Sequence, residues 1–324
     1  MLTIEKKAIR PVIYGWAYDY WKLSRTSDWW HEDIEMGQDV LDWETRLSHK
    51  EKNVIATILK GFAQTETEVS NYWSQLIPIW FPVSEIQQMA TEFGAKENLH
   101  AQAYIYLNDI LGLDDFEGFI KEESIAERLE SLMSITDTSS FFDATIIDKA
   151  RSIAIFSAAC EGVQLFSAFS ILLSFRNRNN YNRLTGVAQQ MEWSVQDENM
   201  HSVAGCKLFR TLCEENEGLK NKVEKDVVQG MKLAVKLEEN YLDKIFELGD
   251  IPTISKEEVK AFLYDRANLK FKELGYNYDL YEDINQTLLK EMSWFKKVIS
   301  SNKDNDFFAS HSSSYSKARG DWDF

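Results

Sequence analysis

The sequence predicts an all-α protein with a four-helix-bundle core and additional helices around it, and three observations carry that prediction. Only 14 glycines and 4 prolines occur in 324 residues, and Pro11, Pro78, Pro82 and Pro252 leave long stretches unbroken. That scarcity favours long helices over many short strands. Apolar residues recur at helical spacing along most of the chain. Two Glu-x-x-His tetrads, Glu97-Asn98-Leu99-His100 and Glu198-Asn199-Met200-His201, each follow an apolar segment with a further glutamate inside it, Glu66 and Glu161. Residues three apart lie on one side of a helix, so each tetrad aims a carboxylate and an imidazole at a common point. Four carboxylates and two imidazoles are the ligand set of a di-iron or di-manganese centre inside a four-helix bundle.

The elements follow in order. Ser48-His49-Lys50-Glu51 fits a capping box opening a helix that runs through Ile55, Ile58, Leu59 and Phe62, past Glu66, to about Trp73 or beyond. Pro82 and Ser84 open a second helix, which carries Glu97, His100 and Tyr104 and ends near Gly112. Ile153 to Phe175 is a third, apolar nearly all round, as expected of a helix buried on several sides. A fourth runs from about Leu184 to Cys213 with Glu198 and His201 on it. Leu219 to Leu248 is a fifth, and a second capping box, Ser255-Lys256-Glu257-Glu258, opens a sixth that ends near Leu274. These make one domain over 1–299. From 300 to 324 Ser, Asn, Asp and Lys dominate, the composition of a flexible tail. It nevertheless ends Gly320-Asp321-Trp322-Asp323-Phe324, and terminal aromatics suit an anchor that folds on a partner.

Composition narrows the function. A formal net charge of −16 argues against binding nucleic acid or an anionic membrane. Lys6, Lys7 and Arg10 are followed by no apolar run, so no signal peptide is expected, and Gly162 to Phe175 is too short to span a bilayer. Cys160, Cys206 and Cys213 are an odd number without framework spacing and read as reduced thiols of a cytoplasmic protein.

One tetrad alone is weak evidence. Acids are 52 of 324 residues, so a histidine has one three places earlier about one time in six. Asp28-Trp29-Trp30-His31 is such a coincidence, with no matching glutamate in an apolar helix. Burial separates the pair of tetrads from it. Glu161 sits between Ile155-Phe156-Ser157-Ala158-Ala159-Cys160 and Gly162-Val163-Gln164-Leu165-Phe166, where an unpaired carboxylate is costly and a metal removes the cost. Thiolate-free, carboxylate-rich ligation suits iron and manganese. Tyr104, seven residues after Glu97, returns to the same helix face, and Asp197, just before Glu198, offers a carboxylate to orient His100 or His201. Leu165 and Phe169 follow Glu161 by four and eight residues and suit a dry pocket or simply the core.

Glu66, Glu97-x-x-His100-x-x-x-Tyr104, Glu161 and Asp197-Glu198-x-x-His201 together resemble the small, radical-generating subunit of class I ribonucleotide reductase, from about Trp29 to the end of the chain. The resemblance implies a ferritin-like domain, ligation of two metal ions by those six residues, iron and/or manganese, and activation by oxygen or superoxide. It implies a homodimer and a separate large subunit, whose cysteine gives up an electron to the oxidised centre before ribonucleotides are reduced. An activating flavoprotein is a further partner it allows. Trp29, ten residues before Asp39, matches the family's relay tryptophan, with Trp30 as runner-up, and Asp197 would link it to His100. Tyr315 matches a relay tyrosine in the tail, and Trp322 and Phe324 the end that docks the large subunit. Relatives that form a tyrosyl radical often carry Asp at the first ligand position, where this chain has Glu66, a feature of subgroups that keep the oxidant on the metals. A di-iron monooxygenase, desaturase or ligand-binding oxidase shares the ligands but not the tail or the Trp29–Asp197 pairing; a ferritin-like metal store leaves Tyr104 unexplained.

Overall fold

The structure, a computed structural model, describes residues 1–6, 8–136 and 143–300. Among the described residues every regular element is a helix, and the bridge between Ile251 and Ile254 belongs to no strand. In chain order the helices are α1 (Gly15–Thr26), α2 (Gly37–Thr45), α3 (His49–Phe62), α4 (Glu66–Asn71), α5 (Ile77–Trp80), α6 (Ser84–Ile110), α7 (Phe116–Phe119), α8 (Glu123–Thr136), α9 (Ile146–Ile155), α10 (Phe166–Asn177), α11 (Thr185–Glu214), α12 (Leu219–Ile245), α13 (Lys256–Glu273), α14 (Gln286–Glu291) and α15 (Ser293–Ser300). π-helical segments, Tyr72–Leu76 and Phe156–Gln164, join α4 to α5 and α9 to α10.

Both expected capping boxes form. Ser48 accepts from the Glu51 amide while the Glu51 carboxylate takes the Ser48 amide, and Ser255 pairs with Glu258 in the same way. A third, Thr145 with Asp148, opens α9. These satisfy amides that the first helical turn leaves without partners.

Two expected helices differ in the structure. The one drawn from Ser48 to Trp73 breaks after Phe62: Gln64 and Thr65 turn back onto the Gly61 and Phe62 carbonyls, and the Thr65 hydroxyl also bonds the Phe62 carbonyl at 3.1 Å. A hydroxyl that bonds the preceding turn competes with the helical ladder there. The chain resumes at Glu66, the first residue of α4. The helix drawn from Ile153 starts earlier, at Ile146, and is π-helical through Glu161. The combined run Ile146–Asn177 is 32 residues, long and apolar enough to cross a membrane, which corrects the expectation from Gly162 to Phe175 alone. Its most apolar stretch is 94% buried inside the protein, as the central helix of the bundle. Each buried phenylalanine along it, Phe156, Phe166, Phe169 and Phe175, contributes about 1.5–3 kcal/mol through burial.

Around this helix α11 packs on the π segment and α10, with α12 against α9 and α13 against the π segment. On the other side α6 lies against α3 and α4, with α1 along its outer face. The four ligand-bearing segments (α4, α6, the π segment and α11) therefore face one another across a single core.

Candidate metal centre

The entry angle of α11 is set from outside that helix. Leu184 before it has φ 52° and supplies no side-chain cap. Asp39 of α2 does so instead, its carboxylate accepting from Gly186 N at 3.0 Å and Val187 N at 2.8 Å, while Asp42 accepts from Leu184 N at 3.0 Å. Position 186 must be glycine for α2 to come so close: a Cβ there would lie 2.6 Å from Met36 Sδ and 3.0 Å from Asp39 Oδ2.

With the helices so placed, the six expected ligands converge and all are buried. They fall into two groups: Glu66, Glu97, His100 and Glu198 offer ligand atoms within 4.8 Å of one another, and so do Glu97, Glu161, Glu198 and His201. Glu97 and Glu198 stand in both. His100 Nδ1 lies 2.9 Å from Glu97 Oε2 and 2.9 Å from Glu198 Oε1, and His201 Nδ1 lies 2.6 Å from Glu97 Oε1. Many of these buried atoms lack a well-aligned hydrogen bond: both oxygens of Glu66 and Glu198, Glu97 Oε1, Glu161 Oε2 and both His201 nitrogens. Buried carboxylate and imidazole atoms in such number, converging on two points and satisfied largely by one another, are the donor set of a dimetal site, and the residues present fit one.

Burial and the mutual repulsion of the carboxylates dominate the electrostatics of the cluster. Burial first, then the charges of Glu97 and Glu198, pushes the Glu66 carboxyl well above the carboxylate range. Burial and the Glu198 and Glu97 charges do the same to Glu161, against the pull of a hydrogen bond from Trp73. Glu198 is pushed up to about 7, by burial and then Glu97. Glu97 is the exception: burial opposes its ionisation, yet His201 and His100 hold it well below the usual range. His100 is raised well above the imidazole value; burial opposes this, and Glu97, Asp197 and Glu198 outweigh it. Four carboxylates in one dry site cannot all ionise unless cations replace those protons.

The other predicted residues take distinct places. Trp29 Nε1 donates to Asp197 Oδ2 at 2.8 Å, and the same oxygen faces His100 Nε2 at 3.3 Å. The Trp29 ring also stacks on His100, with centroids 5.7 Å apart at 19°. Trp30 is 50% exposed and bonds Glu32. Between the two tryptophans, only Trp29 meets the cluster. Lys96 fixes the approach of Trp29 to α6 by bonding Asp28 Oδ1 at 2.7 Å. Tyr104 is fully buried, its ring centroid 6.2 Å from His100 and 4.9 Å from Phe62. Burial, offset by His100 and reinforced by Glu66 and Glu198, drives its phenol well above the ordinary value. Phe169 packs on Phe62 at 5.0 Å, and Leu165 is also buried. His31 lies in neither group and packs against Trp30 and Tyr106 instead. Cys160 stays a free thiol beside Glu161, and burial pushes it up to about 12, the behaviour of a small apolar side chain rather than a thiolate ligand. Tyr315, Trp322 and Phe324 lie outside the described residues.

Trp73 escaped the sequence reading. Its Nε1 donates to Glu161 Oε1 at 2.5 Å, holding one carboxylate oxygen so that the other faces the cluster. It follows Glu66 by seven residues, the spacing that placed Tyr104 after Glu97, and that spacing was the available signal.

Comparison with known proteins places the chain among relatives. Residues 6–287 match the family described as "Ribonucleotide reductase, small chain". A probable ribonucleoside-diphosphate reductase small subunit of Invertebrate iridescent virus 3 is 29% identical over 99% of this chain and 88% of its own length. The ribonucleoside-diphosphate reductase subunit beta of Chlamydia pneumoniae is 23% identical over 97% and 91%. Among solved structures, a putative class I ribonucleotide reductase from Bacillus halodurans shares the fold with a TM-score of 0.75 at 21% identity, covering 86% of this chain and 99% of its own. The dimanganese(II)-NrdF of Streptococcus sanguinis does so at 0.73 and 19%, covering 89% and 99%.

Proposed function

Because the chain belongs to the ribonucleotide reductase small-chain family, we propose that its buried cluster is a dimetal centre held by Glu66, Glu97, His100, Glu161, Glu198 and His201. One observation carries this reading: Glu97 and Glu198 are common to both ligand groups, while Glu66 with His100 and Glu161 with His201 complete the two ends. Iron and manganese suit these donors. When bound and activated by oxygen or superoxide, two such ions would supply the one-electron oxidant with which ribonucleotide reduction starts.

The chain's own residues hold and route that equivalent. Asp197 Oδ2 accepts the indole proton of Trp29 and faces His100 Nε2, so it fixes the imidazole and is placed to take the indole proton as an electron leaves Trp29. Tyr104, kept protonated by burial, is the oxidisable side chain beside His100. Phe62 and Phe169 exclude water around it.

The partner is a large subunit that carries the nucleotide site. Residues 315–324 dock it, with Tyr315 as the relay residue there and Trp322 and Phe324 as anchors. The working unit contains a homodimer of this chain in the cytoplasm, a flavoprotein is its candidate activator, and ribonucleoside diphosphates, named for the relatives, are the substrates. The test is reduction of a ribonucleoside diphosphate by metal-loaded full chain plus its large subunit. Trp29→Phe, and separately deletion of 315–324, should end turnover with metal content unchanged. Full turnover after either change contradicts the corresponding role.

A further inference from the structure

Arg266 of α13 is 3% exposed. Its Nε donates to the Gly162 carbonyl at 2.7 Å and its Nη2 to Asn199 Oδ1 at 2.9 Å, while the guanidinium lies 3.7 Å from the centre of the Phe166 ring. Gly162 is the residue after Glu161, and Asn199 the residue after Glu198. One planar fork therefore joins the backbone beside one candidate ligand to the side chain beside another, across two different segments. A guanidinium suits this because its donors are fixed relative to one another and its face stacks on an aromatic ring. The carbonyl it takes lies within the π-helical segment, where a buried acceptor must find a partner.

The crossing is close. A Cβ at Gly162 would lie 2.6 Å from Ser202 Oγ of α11 and 2.9 Å from Lys270 Cδ of α13, so the π segment, α11 and α13 meet there. Glu161 and Glu198 belong together only in the group that contains His201; Glu66 and His100 lie in the other. On its outer side the clamp borders a pocket of about 490 Å³ lined by Arg266, Asn199, Asp265 and Lys272 among others.

We infer that Arg266 is a positioning residue for one half of the centre: it sets the spacing of Glu161 and Glu198, and with it the affinity for the ion on the His201 side. This rests on the dimetal reading above. It predicts an asymmetry that general destabilisation would not produce.

The experiment is a manganese(II) titration of the full chain, with bound metal counted and the electron paramagnetic resonance spectrum recorded. Wild type should bind two ions and give the spectrum of an exchange-coupled pair. In Arg266→Met the second ion should bind about 10- to 100-fold more weakly. The spectrum should then be the hyperfine-split signal of an isolated ion. Asn199→Ala, which keeps the arginine, should move in the same direction by less. Arg128→Met is the control, because Arg128 of α8 is another buried arginine that reaches the π segment, donating to the Gln164 carbonyl at 3.1 Å, and its ion pair is with Glu238 rather than with a candidate ligand. It should lower the melting temperature with both ions retained. A wild-type chain that binds no pair of ions overturns the dimetal reading itself. Two tight ions in both Arg266→Met and Asn199→Ala, equal weakening of both ions, or the same loss in Arg128→Met overturns the role of Arg266 alone.

Discussion

Single residues in the cluster owe their character to one another. A lone Glu161 on an apolar helix would be a buried acid; with Glu66, Glu97 and Glu198 beside it, it is part of a site that holds protons when cations are absent. This has a consequence for pH. The carboxyls of Glu66, Glu161 and Glu198 have folded-state values above the ordinary 4.5, with Glu198 at about 7, and His100 is also raised. The metal-free folded chain therefore binds more protons than the unfolded chain above pH 4.5, and its stability falls as pH rises through that window. Glu97, held low, acts in the opposite sense only as pH falls through its depressed value. Metal ions displace those protons, so their stabilising effect grows over the same interval. Calorimetry of the metal-free chain between roughly pH 5 and 7 should give a falling melting temperature, and a rise on adding manganese(II) that widens with pH. A metal-induced rise independent of pH would contradict the proton-filled cluster. At this scale the sequence was legible wherever two residues shared a helix face, as in Glu97 with His100. It was less so for Trp73, whose partner Glu161 lies on another segment.

Elements owe their placement to contacts that spacing does not encode. The capping boxes at Ser48 and Ser255 were readable because both partners lie within four residues. The cap of α11 was not, because its acceptor, Asp39, comes from α2, far away in sequence. The break after Phe62 was hidden for a similar reason: apolar spacing continues through Ala63 to Thr65, and the competing hydroxyl contact is a matter of geometry. The π-helical register around Glu161 has no sequence signature in an apolar run, although such segments gather at functional sites. Asp39 gives a test at this scale. Asp39→Ala leaves buried amides of Gly186 and Val187 without acceptors, at a cost of about 1–3 kcal/mol for each group so orphaned. Thermal melting should drop by several degrees, and Asp39→Asn, which keeps one acceptor, should recover part of the loss. Unchanged melting in Asp39→Ala would remove Asp39 from the placement of α11.

The molecule as a whole is a bundle built round its least polar helix, with the six candidate ligands gathered at one place. The apolar run from Ile146 to Asn177 is long enough for a membrane, yet it is enclosed by α11, α12 and α13 and serves as the wall that carries Glu161. The all-helical class and the six converging side chains could be read from the chain because both follow from helical periodicity. The surrounding arrangement, with α1, α2 and α8 on its outside, depends on long-range packing and came only with the structure. The central claim is that four segments of this bundle hold two ions between them. Anomalous diffraction from crystals of the manganese-loaded chain tests it most directly. The account predicts two peaks about 3.5–4 Å apart, both bounded by Glu97 and Glu198, with Glu66 and His100 on one and Glu161 and His201 on the other. A single peak, or manganese bound away from these six residues, would contradict it.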